Sequence, residues 1–443
     1  MNMKSLLSRI ASSASILIVL MLVAVDLAIT QIKPLRFISM NVGFTPLDQN
    51  PLVAKLPKFF ASADNPDVLL LGSSHAVVPA VRTDDAMMGR EARDDTAYRR
   101  SYIASYTHAV YLERLLRRNF DSNLRLVNMG VVAGMMSDHY LVLRKAIASG
   151  KHPKLTICVL APRDFVDNLH GRPQDTPVYQ VLGDLSTIND FAESNSFDQR
   201  MQFAVSAVWN FYKLRADYRE TVKSSIAMLT GHPKDLFTAA MIGAKPQPGI
   251  ATTVSASVSA SAVKTESTRA GSATSTPAKA PAVAIAATSR PELVNTAIAP
   301  PSRPRLVNTM SDLAEYNRVY NPANENLFTK QVSYLEKMLA MADANNITLA
   351  FVNMPLTKQN EDLLGAERAT RYKQVVAELI KKHGQTFYDF DQPSQYGLDD
   401  YEDSCHLNAQ GGRKFYNELV RQLSSNSAVV SAVACQRDQI GKR

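Results

Sequence analysis

Cysteine is scarce in this chain: three in 443 residues, Cys158, Cys405 and Cys435. Three cysteines build no disulfide framework, and no Cys-x-x-Cys pair stands among them, which argues against a structural zinc site. Cys158 falls in an apolar run and reads as a small buried hydrophobe. Cys405 and Cys435 can pair only in an oxidising compartment. Long basic runs are missing too. Lysine and arginine outnumber aspartate and glutamate by 49 to 41, a net charge of +8. Yet the basic residues are spread out, as at Arg99–Arg100, Arg117–Arg118 and Lys381–Lys382. With no zinc-finger or RNA-binding signature, the excess reads as solvated charge, and no nucleic-acid partner is expected.

What is present begins at the N-terminus. Lys4 and Arg9 lead into Ile10–Val25, a stretch without charge, and the apolar character continues past Asp26 to Ile32, before Lys33 and Arg36. This just reaches the ~20 residues that a bilayer-spanning helix needs. No clear small-x-small cleavage site accompanies it, which favours a retained anchor over a cleaved signal peptide. Residues 1–36 are therefore expected to form a single-pass transmembrane helix, with the large domain behind it outside the cytoplasm.

Residues 37–65 read as a connector. Short apolar runs then predict strands at Asp67–Leu71, Leu124–Asn128, Leu155–Leu160, Ile347–Asn353 and Phe387–Phe390. Apolar residues at helical spacing predict helices near Ala109–Phe120, Ser137–Ser149, Phe328–Ala342, Tyr372–Lys382 and Ala409–Leu423. Strands alternating with helices mean a parallel α/β sheet. The alternation breaks over 171–244, which reads as a helical insertion, with Arg200–Met228 helical and Trp209, Phe211 and Tyr212 forming its core rather than a sugar platform. Residues 245–310 are rich in Ala, Ser, Thr and Pro and bury too little apolar area to offset ordering entropy, so a disordered linker is expected there. Inside it, Arg290–Thr296 is echoed by Arg303–Thr309, a local duplication. The alternation resumes over 311–425, with 426–443 as a tail. One α/β domain in two parts, 37–170 and 311–425, is the expected organisation.

Two short motifs carry chemistry. Leu71-Gly-Ser-Ser-His75 lies where a buried strand meets the next element. Ligands bind at such strand ends in open α/β sheets. Gly72 allows a tight turn, and backbone N–H groups near Ser74 can stabilise an oxyanion. His75 beside it reads as a packed or capping residue. The second motif, Asp403-Ser-Cys-His406, precedes the last helix. A carboxylate three residues before a histidine can fix its tautomer, freeing the other ring nitrogen to act as a base toward a serine. Cys405 inside this loop is discounted as a nucleophile, because no basic partner for it is identifiable. Asp138-His139 reads as a solvent-facing pair.

With a strand–Gly-x-Ser element opening the domain and an Asp-x-x-His element closing it, the chain resembles the SGNH/GDSL hydrolase superfamily over about 67–170 and 311–425. Its nucleophile block corresponds to Gly72-Ser73-Ser74, its final block to Asp403–His406, and its second block to Val127-Asn-Met-Gly-Val-Val-Ala-Gly134. The resemblance implies a flavodoxin-like three-layer sandwich around a parallel sheet. It further implies Ser74 as nucleophile, His406 as base, Asp403 as its orienting group, and an oxyanion N–H from one of Gly130 or Gly134. The family's third block carries an Asn that Leu160-Ala-Pro-Arg-Asp164 lacks. Arg163 either takes over as donor, binds an anionic group, or pairs structurally with Asp164. Ser73 in place of the usual Asp makes the chain look more like the divergent DltD-like and alginate-acetylation-like branch. Those are anchored proteins of the cell envelope, which fits the N-terminal segment. The resemblance thus implies a serine esterase or O-acyltransferase without cofactor or metal, single-pass in the inner membrane with a periplasmic domain. Its substrate would be an acylated polysaccharide or another ester, with a multispanning membrane acyl-donor protein as partner. The alternative is a degenerate fold serving as a binding or assembly factor for polysaccharide export.

Overall fold

A computed structural model describes residues 14–32, 51–90, 102–170, 172–173, 176–192, scattered positions from 197 to 212, 312–392 and 395–434. The expected linker at 245–310, most of Arg200–Met228, Phe211 and Cys435 lie outside the described residues.

Five strands form one parallel sheet: β1 (Val68–Gly72), β2 (Leu126–Asn128), β3 (Leu155–Leu160), β4 (Thr348–Asn353) and β5 (Thr386–Asp389), in spatial order β2-β1-β3-β4-β5. This is the flavodoxin-like order, and the chain reverses direction across the sheet between β1 and β3, where such folds open a crevice. Register pairs Leu70 with Asn128 on one side and Ile157 on the other. β1 and β3 are buried at every position. Continuous Val/Ile/Leu runs are what a strand covered on both faces requires.

Successive side chains alternate between the faces. Leu69, Leu71, Cys158, Leu160, Leu349 and Phe351 enter one core cluster, Val68, Leu70, Ile157, Val159, Ala350 and Val352 the other. The first face is covered by helices α2 (Pro51–Ala61), α5 (Met136–Ala148), α10 (Glu325–Ala344) and α12 (Ala366–Lys382). The second is covered by α3 (Ser74–Met87), α4 (Val110–Asn119), α13 (Ala409–Ser425) and α14 (Ser427–Ala434). The result is a three-layer α/β/α sandwich. The segments before and after the insertion belong to one sheet, because β3 pairs with β4 along six residue pairs from Leu155↔Thr348 to Leu160↔Asn353.

Several expectations need correction. The connector at 37–65 contains α2, whose Pro57 lies inside the helix and breaks the sequence signal, while Val53, Leu56 and Phe59 enter the core. The tail at 426–443 contains α14, anchored by Val429 and Val433. The start of the insertion joins the main core: Val178, Tyr179 and Leu182 of α7 (Pro177–Leu182) and Phe191 of α8 (Ile188–Ala192) pack in the first cluster. Asp138 and His139 do not face solvent; each is 2% exposed, with Asp138 accepting from Met135 N and Thr176 Oγ1 and His139 beside Asp164. Of the aromatic group, Trp209 and Tyr212 stack at 6.3 Å.

The N-terminal helix α1 (Ala14–Ile32) bears exposed Leu17, Ile18, Val19, Leu20, Met21 and Leu27. Among the described residues no helix is long and apolar enough to cross a membrane. Ser15 and Asp26 confine the unbroken apolar run to Ile16–Val25, short of the ~20 residues a span needs. The transmembrane helix expected over 1–36 is therefore not supported by the structure.

Candidate active site

Ser74 is the first residue of α3, directly beyond the carboxyl end of β1. The turn that puts it there depends on Gly72. Its φ is +145°, and a Cβ would lie 2.7 Å from the Val159 carbonyl oxygen and 2.8 Å from Ala76 Cβ. Only glycine lets β1 press against β3 and still turn this sharply into the helix. At the first helical position the Ser74 N–H has no intrahelical acceptor and carries the positive end of the helix dipole.

The partners come from a tight hairpin 332 positions away. Tyr401 and Leu407 form an antiparallel bridge, and Glu402 N donates to the His406 carbonyl at 2.9 Å. Within this turn Asp403 Oδ1 accepts the N–H groups of Cys405 at 3.1 Å and His406 at 2.8 Å. That pattern is natural for an Asp in a turn, and it aims the carboxylate at the ring. His406 Nδ1 lies 2.7 Å from Asp403 Oδ2, and His406 Nε2 lies 2.7 Å from Ser74 Oγ. Ser74, His406 and Asp403 thus form one hydrogen-bonded line, the order in which a nucleophile, a base and an orienting carboxylate would stand.

Electrostatics match that line. Burial favours neutral Asp403, but the His406 charge, the hydrogen bond to its ring and the two N–H donors outweigh it, holding Asp403 below the usual carboxylate range. Burial also disfavours charged His406, yet Asp403 beside it lifts its affinity for a proton well above that of an ordinary histidine.

The hairpin is fixed from three sides by residues that the sequence did not single out. Arg82 of α3, 3% exposed, forms an ion pair with Glu402. Ser404 donates through N and Oγ to Asp312 Oδ2 at 3.1 and 2.6 Å. Thr357 Oγ1 donates to the Ser404 carbonyl at 2.6 Å. Asn408 caps α13, accepting from Gln410 and Gly411. Asn408 and Thr357 are also helix caps, a local signal; the remaining contacts join polar residues far apart in the chain.

The oxyanion side differs from expectation. Gly130 N donates to Asn128 Oδ1 at 2.9 Å, and Gly134 N to the Val131 carbonyl at 2.8 Å. Both glycine N–H groups are therefore already used. Arg163 pairs not with Asp164 but with Asp167, its Nε and Nη2 each 3.2 Å from Oδ2, and its guanidinium lies over the Tyr316 ring at 5.6 Å. Residues i and i+4 of a helical turn face each other, whereas i and i+1 do not. Asp164 instead accepts from Ala161 N at 3.0 Å.

Cys405 has a basic neighbour that the sequence did not suggest: His406 Nδ1 lies 3.4 Å from its sulfur. Burial pushes the thiol up to about 11, so it remains protonated and unreactive at neutral pH. Asp403, Cys405 and His406 are near enough together to hold a metal ion, but their donor atoms are committed to one another and to Tyr316, whose hydroxyl is 2.7 Å from the sulfur. A shallow cleft lined by Pro162, Phe328, Arg368 and Tyr372 among others includes none of Ser74, Asp403 and His406.

The sequence matches no protein-family model and no curated protein. What the site can do is therefore read from its own geometry.

Proposed function

We propose that the chain is an SGNH-type serine esterase or O-acyltransferase. The observation that carries this reading is the 2.7 Å separation of Ser74 Oγ and His406 Nε2 with Asp403 at 2.7 Å behind the ring. His406 takes the proton as Ser74 Oγ attacks an ester carbonyl, Asp403 stabilises the imidazolium, and the Ser74 N–H meets the oxyanion. Collapse expels the alcohol, which His406 reprotonates, and leaves an acyl-serine. Water then releases an acid, or a sugar hydroxyl takes the acyl group.

The proposed substrate class is an acyl ester of a cell-envelope or exported polysaccharide, with a multispanning acyl-donor protein as partner. The proposed location is the inner membrane, with the sandwich outside the cytoplasm; the exposed apolar side chains of α1 support membrane association, while among the described residues no helix is long and apolar enough to cross a bilayer. Fluorophosphonate labelling of the full chain tests the chemistry. Wild type should label and Ser74→Ala should not; no Ser74-dependent labelling sinks the reading.

A second reading, a catalytically degenerate binding or assembly factor, is favoured by one specific feature: the glycine N–H groups that would complete an oxyanion hole are engaged. Absence of Ser74-dependent labelling, with unaltered polysaccharide modification in Ser74→Ala cells, would favour it.

A further inference from the structure

We propose that His75 supplies the side-chain hydrogen bond to the oxyanion formed on attack by Ser74, a role that rests on the serine-hydrolase reading and completes it. Besides the Ser74 N–H, that reading needs a second donor. The N–H groups of Gly130 and Gly134 are taken at 2.9 and 2.8 Å, Arg163 is bound to Asp167, and the strand end Leu160–Asp164 offers no Asn.

His75 is placed for the task. It is 1% exposed and follows Ser74 on the first turn of α3. Its ring lies 5.2 Å from that of His406. Nδ1 is 3.0 Å from Ser73 Oγ, while Nε2 is buried with no hydrogen-bond partner. We assign the proton of this contact to the Ser73 hydroxyl, donating to Nδ1, so that the ring proton sits on Nε2. A buried N–H without an acceptor is costly to fold, and a substrate oxyanion removes that cost at the moment it is formed. Ser74 is itself only 2% exposed, so the donor is enclosed to the same degree as the nucleophile it serves.

The ring is also in the right charge state. Burial, then the nearby charges of His406 and Arg163, lower its affinity for a proton well below that of an ordinary histidine, against the opposing pull of Asp403. A neutral imidazole donates without competing with His406 for the serine proton. It also explains Ser73: a hydroxyl can donate to Nδ1, whereas an ionised carboxylate there would accept from Nδ1–H and leave Nε2 bare.

The test is the second-order rate of Ser74 labelling by a fluorophosphonate, in the full chain, with melting curves to check folding. His75→Phe fills the space without a donor and should slow labelling about 10²-fold or more. His75→Asn keeps a donor and should recover at least a tenth of the wild-type rate. Ser73→Ala, which releases the tautomer but preserves the ring, should cost about 10-fold and decides the matter if His75→Phe fails to fold. A His75→Phe protein that labels like wild type, or a Ser73→Ala protein that does so when His75→Phe does not fold, overturns the donor role alone. A wild type that does not label overturns the hydrolase reading and this role with it.

Discussion

The two sides of Ser74 are built differently. On the base side, Asp403 and His406 come from one four-residue turn whose own N–H groups orient the carboxylate, and Arg82, Asp312 and Thr357 pin the turn to three separate elements. On the oxyanion side, the glycine turn uses its N–H groups internally and Arg163 is locked to Asp167. A base can be pre-formed because its hydrogen bonds exist in the resting state. An oxyanion hole has no resting partner, so its donors are either left unmatched, as is proposed for His75 Nε2, or taken up by the protein.

The comparison breaks most readily at Asp403. Asp403→Asn should lower hydrolysis of p-nitrophenyl acetate by about 10⁴-fold with little change in fold. A loss under ~10-fold would show that the base side does not act.

The pH profile sharpens the same point. Asp403 raises His406, so the base stays protonated to higher pH and the wild-type rate should climb through a limb above 6.5. Removing the carboxylate should move that limb of the residual activity downward. The stability sign follows from both shifts. His406 is raised, so its contribution is full below 6.5 and lost as pH rises through its folded value. Asp403 is lowered, so its contribution is present above 3.8 and lost as pH falls through its folded value. The stability difference between wild type and Asp403→Asn should thus be largest between those pH values. A flat difference from chemical denaturation across pH 3–8 would contradict the pairing.

Arg82→Ala should act through position rather than chemistry. Removing the Arg82–Glu402 ion pair should cost about 3 kcal/mol in denaturant unfolding and about 10²-fold in rate as the hairpin shifts. The smallest effect on rate is expected at Arg163. Arg163→Ala removes the ion pair to buried Asp167 and should cost about 3 kcal/mol in stability, yet change the rate less than ~10-fold. A large rate loss at unchanged stability would return Arg163 to the oxyanion side.

Local pattern carried much of this. Continuous apolar runs place β1 and β3 within a residue, because a strand buried on both faces excludes charged side chains and tolerates few polar ones. Gly72, Ser74 and the Asp403–His406 spacing were readable because a sharp turn and a self-capped Asp are determined by near neighbours. Where the local signal was mixed, reading failed. Pro57 hid α2, and the polar character of Asp138 and His139 hid their burial, which their own contacts make tolerable: Asp138 accepts from Met135 N at 2.9 Å and from Thr176 Oγ1 at 2.6 Å.

The sequence by itself determined the strands, the α/β class and the residue types that chemistry needs. Only the tertiary structure decided that Ser74 and His406 meet, that Arg163 turns to Asp167, and that the glycine N–H groups are used up. Helix and strand periods are set by residues a few positions apart, whereas a hydrogen bond spanning 332 positions depends on the sheet order that brings the two ends of the chain to one edge.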